Sequence, residues 1–364
     1  MPVEYHLRSK LEGHTGAVVC LSCRDDGKQL ASGASDGTKV WDLVTWRQVP
    51  VPASSAMRGA TTTLLCVKRN DDVTEALVIA QGGYLAGWRE DLDKESGTRS
   101  FLEVWCHRLR EPAEISGLAF DALTNRLAVC NVHGVLQMYT LNSAMSLTER
   151  FDLTIPKCVP RALGFGAMQG NERELLVFGL HCGLVVHGNT VPSPSAAWNV
   201  GCGIGGVAMD AATGVVCIND PWAGVNLYKL RDREFVKSFS IPIKKTGRTR
   251  QVCLGDSCTT IVSGSDHGTV YVYDRRSQQI VAKLHVDPNE WVQTVDVGDV
   301  GGVPHVFAAK SREIVGLNSI FVYRKRTNAR RFAARVIAAL GTLIQVTVLF
   351  AALGFLYQNL NLYM

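Results

Sequence analysis

The stretch from Gly13 to Asp42 constrains the fold of this chain more than any other. It reads GHTGAVVCLSCRDDGKQLASGASDGTKVWD, with Gly-His at its start and Trp-Asp at its end. Three short apolar runs are separated by turn residues at 25–27 (Asp-Asp-Gly) and 35–37 (Ser-Asp-Gly). Short strands separated by Asp-Gly turns are typical of consecutive hairpins. One unit of this size cannot bury its own apolar faces, so it predicts further units along the chain.

The Gly-His and Trp-Asp ends make this stretch similar to one repeat of the WD-repeat β-propeller family. The resemblance implies a buried polar network whose groups satisfy one another, formed by His14, Ser32, Asp36 and Trp41. Compared with the family, the stretch has one residue fewer between its Asp-Gly-Thr and Lys-Val-Trp segments. We therefore expect either a shifted strand register or a tightened turn.

Six further stretches repeat this rhythm of short strands and turns. They start near residues 61, 115, 160, 205, 249 and 292, which is roughly the 40- to 50-residue period of WD-type propellers. Only the first and sixth units match the pattern well individually, so the count could also be six or eight. We predict an all-β fold, a seven-bladed β-propeller over residues 1–325 with a C-terminal transmembrane helix. The seventh unit supplies three strands, and residues 3–11 should pair with 320–323 to close the ring.

The second unit contains an unusually long connection, Gly82–Arg99, if residues 102–105 form its third strand. Connections of this length are often functional or disordered. We predict a partner-contact site there, because Tyr and Trp are enriched at interface hot spots. Equivalent turns of units three, four and six carry His133, Cys182 and His267. The partner-binding candidates are Tyr84, Trp88, Glu90, Asp91, Asp93, His133 and His267.

The net charge of +5 is concentrated at one end of the chain. Six basic residues follow position 323, which leaves 32 basic against 33 acidic residues in 1–323. A nearly neutral main body argues against nucleic acid as a partner. The six, which we expect at a membrane surface, are Arg324, Lys325, Arg326, Arg330, Arg331 and Arg335.

Residues 336–357 form an uncharged apolar run after a basic linker at 326–335, and a short tail, 358–364, follows. Such a run is long enough to cross a bilayer as a helix. The basic residues on its N-terminal side predict that residues 1–335 lie in the cytosol. The uncharged end, QNLNLYM, favours the endoplasmic reticulum over the mitochondrial outer membrane. In this layout the chain resembles membrane-tailed WD-repeat proteins of mushroom-forming fungi.

Three patterns with chemical potential have simpler structural interpretations. The Cys20/Cys23 pair has no second pair at zinc-site spacing, and the eleven cysteines indicate reduced, buried thiols. The segment 201–206 satisfies GxGxxG, but a strand rather than a helix follows it. His14, Ser32 and Asp36 have the residue types of a hydrolytic triad, yet Ser32 falls within a strand. We therefore expect no enzyme activity, no cofactor and no bound metal.

These observations predict a membrane-tethered protein-interaction scaffold built on a cytosolic propeller. The proteins it binds, and its oligomeric state, are not specified by the sequence. The alternative is a membrane-anchored guanine-nucleotide exchange factor for a small GTPase. A WD-repeat exchange factor of coat assembly at the endoplasmic reticulum has a similar layout, and the Gly82–Arg99 connection would then open the nucleotide site.

Overall fold

The structure is a computed structural model that describes residues 4–71, 75–92, 99–109, 111–181, 183–187, 193–244, 247–288, 290–311 and 318–326. The chain divides into two units, residues 1–324 and 325–364. Described strands are almost all short, with apolar residues on alternating positions or in buried runs. A short 3-10 helix, Ala53–Arg58, lies between the first and second sheets.

The strands follow one another in chain order. The first seven are β1 (Tyr5–His14), β2 (Val18–Cys23), β3 (Gln29–Ala34), β4 (Gly37–Asp42), β5 (Arg47–Val49), β6 (Thr61–Lys68) and β7 (Glu75–Gln81). Next come β8 (Tyr84–Leu92), β9 (Arg99–Arg108), β10 (Ile115–Asp121), β11 (Arg126–Asn131), β12 (Val135–Leu141), β13 (Leu147–Thr154) and β14 (Pro160–Gln169). They continue as β15 (Glu172–Gly179), β16 (Gly183–His187), β17 (Ser193–Trp198), β18 (Gly206–Asp210), β19 (Val215–Asp220), β20 (Gly224–Lys229) and β21 (Phe235–Ser240). The last are β22 (Val252–Gly255), β23 (Thr260–Ser263), β24 (Thr269–Asp274), β25 (Ile280–His285), β26 (Thr294–Asp299), β27 (Pro304–Ala309) and β28 (Asn318–Lys325).

Within the described residues these strands form four-stranded antiparallel sheets. Six sheets each use four consecutive strands, beginning at β2, β6, β10, β14, β18 and β22. The remaining sheet is composite, with the order β1-β28-β27-β26. The first strand of each sheet contacts the first strand of the next, and β26 contacts β2, so the sheets close into a ring. The predicted pairing of the N-terminal segment with the strand at 320–323 is therefore confirmed.

The predicted fold class, a seven-bladed propeller with a C-terminal transmembrane helix, needs correction. Among the described residues, six blades are each formed by one continuous stretch of the sequence. The composite sheet completes the ring. In the described part of the chain, no helix is both long enough and apolar enough to cross a bilayer. The segment 336–357, on which that prediction depended, lies outside the described residues. The predicted orientation and organelle therefore stay predictions.

Apolar side chains fill the spaces between neighbouring sheets rather than one central core. Between the composite sheet and the first continuous sheet, for example, Trp41 packs with Leu30, Phe307 and Val322. Burying such side chains is the main force that holds adjacent blades together. The innermost strands leave a channel along the ring axis.

The two ends of the channel are bounded by different connections. We define the upper edge of the ring as the edge formed by the turns between second and third strands and by the links between sheets. The lower edge carries the turns between first and second strands and between third and fourth strands. Arg324 lies at the lower edge, since it pairs with His305 near the start of β27. The other basic residues at 330, 331 and 335 lie outside the described residues.

Candidate functional site

The four residues of the predicted polar network lie together between β1, β3 and β4. His14 Nδ1 is 2.7 Å from Asp36 Oδ1, and His14 Nε2 is 2.8 Å from Ser32 Oγ. Trp41 Nε1 donates to the same Ser32 Oγ at 2.9 Å. Ser32 Oγ thus accepts from the indole and donates to His14 Nε2, and the Nδ1–H of the same neutral ring donates to Asp36 Oδ1. Every buried polar group in the set has a partner.

The network is built for stability rather than for reaction with a substrate. His14 and Ser32 are completely buried, so neither side chain reaches a solute. Burial lowers the pKa of His14, and it does so against the opposing effect of Asp36. Burial also disfavours ionised Asp36, but hydrogen bonds from Thr15 N–H and His14 outweigh it and lower the pKa of Asp36. The arrangement favours neutral imidazole beside a carboxylate, held inside a β-sheet.

The first unit has one residue fewer than the family pattern. In the structure this gives a tighter turn between β3 and β4, and the register between these two strands is not shifted. Ala34 pairs with Gly37, so only Ser35 and Asp36 connect β3 to β4. Gly37 has a φ of 102°, a conformation that costs little only for glycine. The tight turn places the carboxylate of Asp36 directly over His14.

The second sheet departs from the prediction, because its third strand is β8 rather than residues 102–105. Trp88 lies opposite Leu77 in β7, just as Trp41 lies opposite Leu30 in β3. Its side chain is fully buried among neighbours that include Phe101. Trp88 is thus a core residue, and its indole surface is not available to a partner.

Glu103 completes the Trp88 site from β9. Trp88 Nε1 donates to Glu103 Oε2 at 3.3 Å. Arg58 donates to both carboxylate oxygens, at 2.5 and 2.7 Å, and this pairing lowers the pKa of Glu103. The same guanidinium lies 6.0 Å from the ring centre of Tyr84. The indole of Trp88 therefore donates to a carboxylate, whereas the indole of Trp41 donates to a serine hydroxyl.

The charged end of β8 contacts the neighbouring sheet at the lower edge. Arg24 Nη1 donates to Glu90 Oε2 at 2.8 Å, and Gln29 Nε2 donates to Glu90 Oε1 at 2.7 Å. Together with Trp88, these side chains line a cavity of about 240 Å³. Glu90 is therefore used to join two blades. Asp91 is exposed nearby, and Asp93 lies outside the described residues.

The remaining candidates at the upper edge do not form a cluster. His267 is buried, with Nδ1 2.7 Å from Asp266 Oδ1 and Nε2 2.9 Å from Tyr271 Oη. His133 is exposed and belongs to a different sheet. Cys182 lies outside the described residues. Among the residues the structure describes, no group of three or more His, Cys, Asp or Glu side chains could hold a metal ion.

Sequence reasoning missed a carboxyl group inside the channel. Asp296 is the third residue of β26, and it lines an upper cavity of about 550 Å³. Burial raises the pKa of Asp296 to about 7. An Asp on an innermost strand, in the run TVDVGD, was the available signal, but its surroundings depend on ring closure.

The closed ring of four-stranded sheets around a channel defines the architecture as a β-propeller. A family model described as WD domain, G-beta repeat, matches residues 5–42. The matched stretch spans β1 to β4, so the sequence repeat begins on the outer strand of one sheet and ends on the third strand of the next. Together, the match and the ring support a WD-repeat β-propeller. The narrower likeness to membrane-tailed fungal proteins is not shown by this match, and the chain has no match among the curated proteins compared with it.

Proposed function

We propose that this propeller is a protein-interaction scaffold whose upper edge is the binding face. WD-repeat propellers commonly bind other proteins, and the fold presents a rigid rim of turns around the channel mouth. We choose the upper edge because of Trp222, which lies in the turn between β19 and β20. Its side chain is 70% exposed, and Trp is strongly enriched at the centres of protein interfaces.

The turn that carries Trp222 is held in place by the surrounding chain. Trp222 N donates to Asp220 Oδ1 at 2.9 Å, which fixes the turn locally. A Cβ built on Gly247 would lie 2.5 Å from the Trp222 ring, so backbone packs directly against one face of the indole. Next to this backbone, Arg248 lies 5.0 Å from the ring centre of Trp291. A rigid aromatic side chain loses little conformational entropy when a partner covers it.

Comparative affinity purification tests this proposal. Tagged full-length protein, a Trp222→Ala variant and a Leu92→Ala variant are expressed at equal levels, and bound proteins are quantified. Leu92 is a matched control, because it is a 54% exposed apolar residue at the lower edge. We expect Trp222→Ala to lose specific partners and Leu92→Ala to keep them. Loss in the Leu92 variant alone would contradict the choice of edge.

The exchange-factor alternative loses its structural basis. It needed a long free connection at Gly82–Arg99, but residues 84–92 form β8 and Arg99 begins β9. The end of β8 and the start of β9 both lie at the lower edge, and residues 93–98, which connect them in the sequence, lie outside the described residues. The hydrolytic-triad interpretation also loses its basis, since the side chains of His14 and Ser32 are completely buried.

A further inference from the structure

The turn that carries Trp222 is contacted from several sides by the link between β21 and β22. Near the start of the link, Ile241 N donates to Ala223 O at 3.0 Å. Further along it, Gly247 packs against the indole. Near its end, the buried Arg250 side chain donates through Nη2 to two backbone carbonyl groups of the turn, at 2.9 and 3.3 Å. The turn and the described part of the link therefore form one fixed surface around an exposed indole.

The same link is strongly basic. Residues 241–251 include four basic and no acidic residues. Lys244 N donates to the buried carboxylate of Asp266 at 3.0 Å, so its backbone is fixed while its side chain stays exposed. The exposed side chain of Arg248 lies over the Trp291 ring, which restricts where its guanidinium can go. Two ordered positions thus present positive charge beside the indole.

The positive charge extends over one part of the upper edge, between residues 155 and 268. The exposed cations of this part are Lys157, Arg161, Lys244 and Arg248. The acidic side chains that the structure describes there are Asp220, which is partly buried, and Asp266, which is buried. Exposed carboxylates of the same edge lie on other sheets and include Asp36, Glu111 and Glu114. The surroundings of Trp222 are therefore positive although the main body of the chain is nearly neutral.

We propose that the partner segment that binds at Trp222 is acidic. An apolar or aromatic side chain of this segment covers the indole, and Asp or Glu side chains beside it pair with Lys244 and Arg248. This inference rests on the proposed function and adds the chemistry of the partner. A basic segment would bring like charges together, which is costly at an interface. A neutral segment would cover the indole but would not use the two cations.

A single-stranded nucleic acid also combines negative charge with aromatic rings, but the charge pattern favours a peptide. Proteins that bind single strands have a positive groove that follows the backbone over several nucleotides. Here the positive region gives way to sheets with exposed carboxylates, such as those of Glu111 and Glu114. A short acidic segment needs only the surroundings of one indole.

The probe is the peptide acetyl-Glu-Asp-Phe-Asp-Glu-amide, titrated into full-length protein by calorimetry at about 0.01 M and about 0.15 M salt. One matched peptide, acetyl-Gln-Asn-Phe-Asn-Gln-amide, has nearly the same shape but no charge. Another, acetyl-Glu-Asp-Ala-Asp-Glu-amide, keeps the charge but lacks the ring. We expect the first peptide to bind more tightly than the other two. Its advantage over the uncharged peptide should shrink as salt rises, because salt screens exposed charges.

Substitutions in the protein identify the cations that are used. Lys244→Gln and Arg248→Gln should each weaken binding of the acidic peptide about 1.5- to 5-fold, the range expected for one exposed ion pair. Both should leave binding of the uncharged peptide unchanged. The matched control is Lys28→Gln, which removes an exposed lysine at the lower edge and should have no effect. Trp222→Ala should abolish binding of the acidic peptide.

Four results would overturn the inference. They are equal binding of the acidic and uncharged peptides, no binding of the acidic peptide, unchanged affinity in both Lys244→Gln and Arg248→Gln, and tighter binding of an oligothymidine than of the acidic peptide. The proposed function is judged separately by partner loss in Trp222→Ala. If that variant loses its partners while the acidic peptide fails to bind, the scaffold proposal stands and the acidic-segment inference does not.

Discussion

Trp88 occupies in β8 the register position that Trp41 occupies in β4. Each indole lies opposite the leucine of the preceding strand, Leu77 for Trp88 and Leu30 for Trp41. Each is buried against the neighbouring sheet, but Trp41 donates to a serine and Trp88 to a glutamate. Both sheets thus bury a tryptophan at the same position of the third strand, but its indole N–H has a different hydrogen-bond acceptor in each.

Replacing Trp88 by Ala should therefore destabilise the fold as strongly as replacing Trp41. Removing a buried Trp side chain leaves a cavity and costs about 3–5 kcal/mol. Urea unfolding measures the change, and Trp222→Ala, at an exposed indole, is the control. A Trp88→Ala protein as stable as the control would show that residues 84–92 do not form the third strand.

Ser32→Ala should destabilise the protein although it removes a single oxygen atom. The variant leaves Trp41 Nε1 and His14 Nε2 without their buried partner, which costs about 1–3 kcal/mol. Ser277→Ala serves as control, because its hydroxyl caps an exposed turn through Asp274. Equal melting temperatures for the two variants would argue against a shared network.

Deleting residues 1–10 should open the ring. The deletion removes more than half of β1, and β28 loses its partner strand in the composite sheet. An unpaired edge also exposes a strand to association with other chains. We expect a much lower melting temperature and aggregation on heating. A protein lacking residues 1–10 that melts at the same temperature as the full-length protein would refute closure by β1.

Asp296→Asn should stabilise the protein more at high pH than at low pH. The pKa of Asp296 is about 7 in the folded protein against an ordinary value of 3.8, so the folded state binds more protons between these values. Stability from this group therefore falls as pH rises from about 4 to about 7. The asparagine side chain cannot ionise and avoids this loss.

The measurement compares the variant with the unaltered protein by urea unfolding at about pH 5 and about pH 8. Burial lowers the pKa of His14, so His14 acts with the opposite sign: its contribution is lost as pH falls below about 6.5. Because His14 is present in both proteins, its effect cancels in the difference. A difference that is the same at both pH values would mean that Asp296 does not titrate as described.

Most of the inner strands could be predicted from sequence, and most of the outer strands could not. The runs at 126–131 and 135–141 coincide with β11 and β12, because strands covered on both faces are nearly continuous apolar segments. The outermost strand of the same sheet, β13, buries Phe151 but is exposed at most other positions. Such a strand has too few apolar residues to stand out from a loop. The error in the second sheet is the reverse: the third strand, β8, has a charged segment at 89–91 and was taken for a connection, and residues 102–105 of the outermost strand, β9, were taken for the third strand.

The polar network could be predicted because its residues are close together in the sequence. The contacts of Asp296 could not, because they join distant parts of the chain. His14, Ser32, Asp36 and Trp41 lie within one repeat, so their spacing carries the information. The bond between Cys23 and Asp296 joins residues 273 positions apart and exists only in the closed ring. No local pattern indicates that an aspartate will meet two other sheets.

The composite sheet also sets the order of events during synthesis. The ribosome produces β1 about three hundred residues before β28, the strand that covers its edge. At roughly 5–20 residues per second, β1 waits between about 15 and 60 seconds for its partner. Meanwhile six blades can form in sequence, yet the faces that will flank the composite sheet stay open to water. A chaperone that shields this gap during translation would therefore act on the two ends of the ring, not on its middle.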